Sequence, residues 1–260
     1  MRPQLSAKRM GLQNRAGTST AFILLLGCIM GGSLLPFPAD ASPFPDDSAA
    51  SSIGDGSVQV TFVPPNGDAP RETRGGAARD SSCLQTDDTS AELTALVPQT
   101  NYGLTTQAHP VFVVYMPSVP TGSVFFNLRD EAGQSVYETF LSVPEIGGIV
   151  TIEMPKEAPA LEVGKNYEWG VAVPCSVRLR PDSPFVSGWV QRIDPSQAEE
   201  ALPTEFNTSL DHASQYGMAG IWYDMLSLLA DLKENAPESL TVNSNWQNVL
   251  QAANLGQVSF

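Results

Sequence analysis

Catalysis needs groups that attack, move protons or hold metals, and this chain arranges few of them. It has two histidines, His109 and His212, and three cysteines, Cys28, Cys83 and Cys175. The sequence holds no HExxH, no paired histidines and no CxxC, so no zinc site is expected. Neither a G-x-S-x-G nucleophile turn nor a Gly-rich phosphate loop occurs. His109 stands before Pro110 at a strand entrance, which is a structural position. Asp87-Asp88 reads as half a calcium site or, more simply, as a solvated acidic loop. Asn207-Thr208-Ser209 matches a glycosylation sequon, a pattern short enough to arise by chance. We therefore expect no catalytic residue, no cofactor and no metal.

Two groups suggest recognition instead. Arg71, Arg74 and Arg79 stand close together among glycines. Guanidinium forks take carboxylates or phosphates in two-pronged fashion. The plainer reading is that these arginines lie on an acidic surface and neutralise it. Trp222-Tyr223 is the second group. Adjacent residues of a helix point about 100° apart. One ring can then pack inward while the other offers a docking surface, or both can serve packing alone.

The N-terminus carries Arg2, Lys8, Arg9 and Arg15, then an apolar run from Ala21 to Leu35, then Ala39-Asp40-Ala41. A basic head, an apolar middle and A-x-A read as a secretory signal peptide over residues 1–41. Leu25-Leu26-Gly27-Cys28 also resembles a lipobox, which would put a lipid anchor on Cys28. An uncleaved membrane anchor is a third reading, weakened by Gly31, Gly32 and Ser33 in the span. Cleavage after Ala41 removes four of the 14 Lys/Arg and one of the 28 Asp/Glu, leaving a net charge of −17. Such a chain repels phosphate backbones and anionic lipid, so nucleic acid is not an expected partner. Cys83 and Cys175 then remain, and in an exported chain they most simply form a disulfide. It would close a loop of roughly 90 residues, worth about 4–5 kcal/mol in the chain-entropy model. Two buried thiols are the alternative.

The elements that position these groups read mainly as β. Residues 42–56, rich in Ser, Asp, Pro and Gly, form a linker. Ser57 to Val63 alternates and is β-branched, so it predicts a strand. Further strands are predicted over Leu93–Val97, Val111–Tyr115, Ser123–Arg129, Ser135–Val143, Gly148–Met154, Tyr167–Cys175 and Phe185–Ile193. Leu161-Glu162-Val163-Gly164 leads into Tyr167 and Trp169, which resembles the tyrosine corner of immunoglobulin-like and fibronectin-like sandwiches. Tyr167, Trp169, Val171, Val173 and Cys175 share one parity and should face the core. After Pro195 the pattern is helical, with Ile221, Trp222, Met225, Leu228, Leu229 and Leu232 at helical spacing and Pro237 as the stop. The predicted fold is an antiparallel β-sandwich over 57–194 and a tetratricopeptide-like helical hairpin within 195–260. One such unit is too few for a solenoid.

Several motifs occur in a specific order. Val60-Thr61-Phe62-Val63-Pro64-Pro65 leads to Ala69-Pro70-Arg71, Gly75-Gly76 and Cys83. Leu96 to Thr106 follows, then His109-Pro110, Leu128-Arg129-Asp130, Tyr167-Glu168-Trp169, Gly188-Trp189-Val190-Gln191-Arg192 and Gly220-Ile221-Trp222-Tyr223-Asp224. Together they resemble the domain of unknown function 928 family of cyanobacterial exported proteins, over residues 57–255. The resemblance implies export and a shape, and no activity. The loop departs from the family, with Gly75-Gly76-Ala77-Ala78-Arg79 where a longer glycine run is usual.

The leading functional expectation is a non-enzymatic protein-interaction module of the cell envelope. The alternative is a carbohydrate-binding module for envelope or extracellular glycan, with Trp169 or Trp189 as stacking face. Two coplanar aromatics exposed on one sheet face would favour the alternative. Burial of all four Trp would remove it.

Overall fold

The computed structural model describes residues 7–9, 58–65, 69–70, 92–119, 121–145, 147–174, 179–201 and 208–256. These all belong to one compact unit, and a second unit, residues 12–57, lies outside them. Arg71, Arg74, Arg79, Cys83, Asp87, Asp88 and Cys175 also lie outside the described residues.

The described chain is mainly β, with two sheets and a C-terminal helical region. The strands are β1 (Ala7–Arg9), β2 (Thr94–Ala95), β3 (Tyr102–Thr105), β4 (Val111–Met116), β5 (Ser123–Asp130), β6 (Ser135–Ser142), β7 (Gly148–Glu153), β8 (Asn166–Ala172) and β9 (Phe185–Arg192). One sheet runs β1-β7-β4-β2 and the other β3-β9-β8-β5-β6. All neighbours are antiparallel except the parallel pair β3 and β9. Four helices follow: α1 (Pro195–Ala201), α2 (Ser209–Met218), α3 (Trp222–Asn235) and α4 (Leu240–Ala252).

Period-two alternation sets the inner faces. Val124, Phe126 and Leu128 of β5 are fully buried, as are Trp169 and Val171 of β8. The sheets meet through Phe112 of β4, whose ring lies 4.8 Å from Trp169 and 5.6 Å from Phe126. The turn between β5 and β6 uses Gly133 at φ +79, and Asp130 accepts the Gln134 N–H through its side chain at 2.8 Å. Before β8 the Tyr167 hydroxyl oxygen accepts the Glu162 N–H at 3.2 Å.

Two segments differ from expectation. Val58 to Val63 forms no strand, because its backbone bonds to helices instead of to a sheet. Val60 N–H donates to Asn245 Oδ1 at 2.7 Å, Asn245 Nδ2 donates to Val58 O at 2.9 Å, and Val63 N–H donates to Gly217 O at 3.0 Å. In contrast, β3 arises where no strand was expected. Its register on β9 sets Tyr102 beside Trp189 and Thr105 beside Arg192.

The helices share the core of the sheets. Trp222, Tyr223, Met225, Leu229, Trp246 and Leu250 belong to the same buried cluster as Phe112, Phe126 and Trp169. α3 packs on α2, α4, β3 and β4. At the start of α2, Thr208 and Asp211 form a reciprocal capping box. Thr208, the middle residue of the sequon, thus serves as a helix cap. Among the described residues no helix is long and apolar enough to cross a membrane.

Candidate functional site

The motif around Tyr102–Thr106 and the motif Gly220–Asp224 face each other as one junction. Gly220 at φ +75 turns the chain from α2 into α3, a conformation that L side chains resist. Its carbonyl accepts the Leu104 N–H at 3.4 Å. A Cβ on Gly103 would sit 2.7 Å from the Trp222 Cβ, so only glycine lets α3 lie this close to β3.

Neither Trp222 nor Tyr223 offers a surface, which corrects the expectation that one of the pair docks a partner. Both are buried, at 0% and 1% exposure. The two sides of the helix are both covered. Phe62 of the 58–65 segment meets Trp222 edge-on at 4.7 Å, and the Trp222 indole N–H donates to Leu96 O at 2.9 Å. Tyr223 faces the sheets, where it accepts the Trp169 indole N–H at 2.7 Å and donates to Trp189 O at 2.9 Å. Burial raises the pKa of its phenol, so it stays a neutral donor.

Asp224 completes the junction. Its carboxylate accepts the hydroxyls of Thr105 and Thr106 and, at 2.9 Å, the Thr106 N–H. Burial pushes its pKa up, against the downward pull of those hydrogen bonds and of His212. Burial lowers the pKa of His212, and the charge of Asp224 opposes this. The His212 ring lies against Tyr216, with centroids 4.3 Å apart and planes tilted by 33°. His109 is elsewhere, with Nε2 3.0 Å from Ala158 O, a tie between the loop before β4 and the loop after β7. Since a carbonyl can only accept, Nε2 carries the proton.

The expectation of a Trp stacking face is also corrected. Trp169, Trp189, Trp222 and Trp246 are all at 0–1% exposure. The aromatic surface lies elsewhere, on the outer face of the five-stranded sheet. Cross-strand register puts Phe140, Phe125, Ala172 and Phe185 in one row over β6, β5, β8 and β9. Phe140 is 55% and Phe185 42% exposed. The Phe125 and Phe140 rings are 5.2 Å apart at 58°, so they make a ridged surface and no flat platform. A Cβ on Gly170 would stand 2.5 Å from the Phe185 ring, which therefore lies across β8.

The next row toward the polar end reads Glu138, Asn127, Gly170 and Ser187. With its amide turned so that nitrogen faces Gly170 O and oxygen faces Arg129 Nε, Asn127 reaches both at 3.1 Å. Sequence reasoning assigned Val124, Phe126 and Leu128 to the core but missed their outward neighbours. Only the strand register aligns Phe125 with Phe140 and Phe185. Among the described residues, no three His, Cys, Asp or Glu side chains cluster as a metal site would require.

No curated protein matches the sequence. The family model described as Domain of Unknown Function (DUF928) matches residues 74–259. The match takes in the β3–α3 junction and the aromatic row alike, and the chain belongs to this family.

Proposed function

We propose that the protein is an exported, non-enzymatic interaction module of the cell envelope, and that it receives an apolar segment of a protein partner on the Phe140–Phe125–Phe185 row. The carrying observation is that row itself: two phenylalanines half exposed on one sheet face and aligned by strand register. A large aromatic left in water gains by burial against a partner. A processed chain of net charge −17 disfavours nucleic acid and anionic lipid as that partner. The tilt between the Phe rings suits side chains better than the flat face of a sugar.

Export draws its support from the basic head, apolar run and A-x-A of residues 1–41. The same reading takes the two sheets as an immunoglobulin-like or fibronectin-like sandwich, on the support of the Tyr167 corner. It takes α2 and α3 as a tetratricopeptide-like hairpin, on the support of the helical spacing and Pro237. It joins Cys83 to Cys175, since the two cysteines left in an exported chain most simply pair.

The test is photo-crosslinking in the native envelope from a reactive aromatic placed at position 140. A discrete protein adduct is expected. A glycan adduct, or none with the protein abundant and folded, counts against the reading.

A further inference from the structure

We propose that the outer edge of β7 is a strand-acceptor site. It is filled by Ala7–Arg9 of the same chain until the leader is removed, and afterwards by an extended, basic segment of a partner protein. The inference rests on the export reading for the removal of the leader.

β7 lies between β1 and β4. Ala7 stands opposite Ile152, Lys8 opposite Thr151 and Arg9 opposite Val150, antiparallel. The direction of the backbone groups follows from one bond. Met154 N–H donates to Pro110 O, on the β4 side, at 3.1 Å. Strand groups alternate with period two. Val150 and Ile152 therefore turn their N–H and C=O to β4, and Ile149, Thr151 and Glu153 turn theirs to β1. Lys8 and Thr151 form the pair that exchanges two backbone bonds.

Cleavage after Ala41 takes β1 away whole. The edge it leaves is built unlike the others. Sheet edges are usually blunted by shortness, bulges, charge or cover. Among the described residues, β2 has only two residues, β3 is covered by Gly220, and β6 has a register shift against β5 at Leu128/Arg129. β7 is Gly-Ile-Val-Thr-Ile-Glu, with no Pro, no Lys and an unbroken register to β4. It is a regular template for strand addition.

Charge selects the occupant. The segment seated there supplies two successive basic residues, Lys8 and Arg9. Exposed Glu145, Glu153 and Glu157 flank or end β7, against one exposed lysine, Lys156. A second copy of a chain of net charge −17 is a poor match, and a basic extended segment is a good one.

The experiment compares amide hydrogen exchange in the full 260-residue chain with that in the form recovered from its own envelope, whose N-terminus is read by mass. The amides of Ile149, Thr151 and Glu153 should exchange roughly 100-fold faster in the processed form. Those of Val150 and Ile152 should stay slow in both. A synthetic peptide of residues 3–13 should restore protection at Thr151. The same peptide N-methylated at Lys8, or carrying Lys8→Glu and Arg9→Glu, should not. Thr151→Pro should block the peptide while sparing the β4 ladder, since its N–H points to the edge.

A cut N-terminus with unchanged exchange, or with no response to the peptide, overturns the acceptor site and leaves export standing. Self-association that protects Thr151 assigns the edge to a second copy and overturns the basic partner. An intact N-terminus overturns the removal of the leader and, because the edge is then never vacated, this inference with it.

Discussion

At the scale of single residues, Tyr223 and Asp224 carry the junction. Tyr223→Phe keeps the ring and removes the hydroxyl that joins the Trp169 indole to the Trp189 carbonyl. Two buried polar groups lose their partner, which costs about 1–3 kcal/mol. Urea unfolding should show the midpoint fall with the slope unchanged. Asp224 makes a prediction about pH. Its folded pKa is raised by burial, so the native state binds the proton before the unfolded chain does. Its contribution is therefore greatest below the ordinary carboxylate value and is lost as pH rises through the raised folded value. Stability of the wild type relative to Asp224→Asn should rise as pH is lowered through that window. A difference that is flat with pH would refute the assignment. The sequence showed Trp222-Tyr223 as adjacent helix residues about 100° apart. It did not show that the two directions are covered by different parts of the chain, Phe62 on one side and Trp169 with Phe112 on the other.

At the scale of elements, the approach of α3 to β3 depends on Gly103. Gly103→Ala forces its Cβ against Trp222, and overpacking of this kind costs about 1–3 kcal/mol. Thermal unfolding should show a lower midpoint, and Trp fluorescence should report a shifted indole. Most strands were legible because alternation such as Val124, Phe126, Leu128 marks one buried face. Val58–Val63 has the same alternation and is extended, but its donors go to Asn245 and Gly217. Local pattern reports an extended chain and not the partner of its backbone. β3 was missed for the opposite reason. Gly103 lowers strand propensity, Asn101 stands at φ +54, and the pairing partner β9 lies far along the chain.

At the scale of the whole molecule, sheets and helices make one body, since their buried side chains form one cluster. The division at residue 194 drawn from sequence marks a change of secondary structure and not a boundary of stability. A chain ending at 194 would lack Trp222, Tyr223 and Trp246, all fully or almost fully buried. It should fail to give a cooperative transition, and a sharp one would contradict the shared core. The outer aromatic row, by contrast, should matter little to stability. Phe140→Ser with Phe185→Ser alters side chains 55% and 42% exposed, so the folding free energy should change by no more than about 1 kcal/mol. The row was illegible because it joins residues from four strands whose register no single segment encodes.

That contrast between face and core gives the most direct test. The tagged protein is recovered from its own envelope in three forms, wild type, Phe140→Ser/Phe185→Ser and Tyr223→Phe, and co-purifying protein is quantified by mass spectrometry. The wild type and Tyr223→Phe should each hold a stoichiometric partner under conditions where both are folded, and the double variant should lose it while keeping its unfolding midpoint. A partner retained at full stoichiometry by the double variant would contradict the assignment of the aromatic row as the interaction surface.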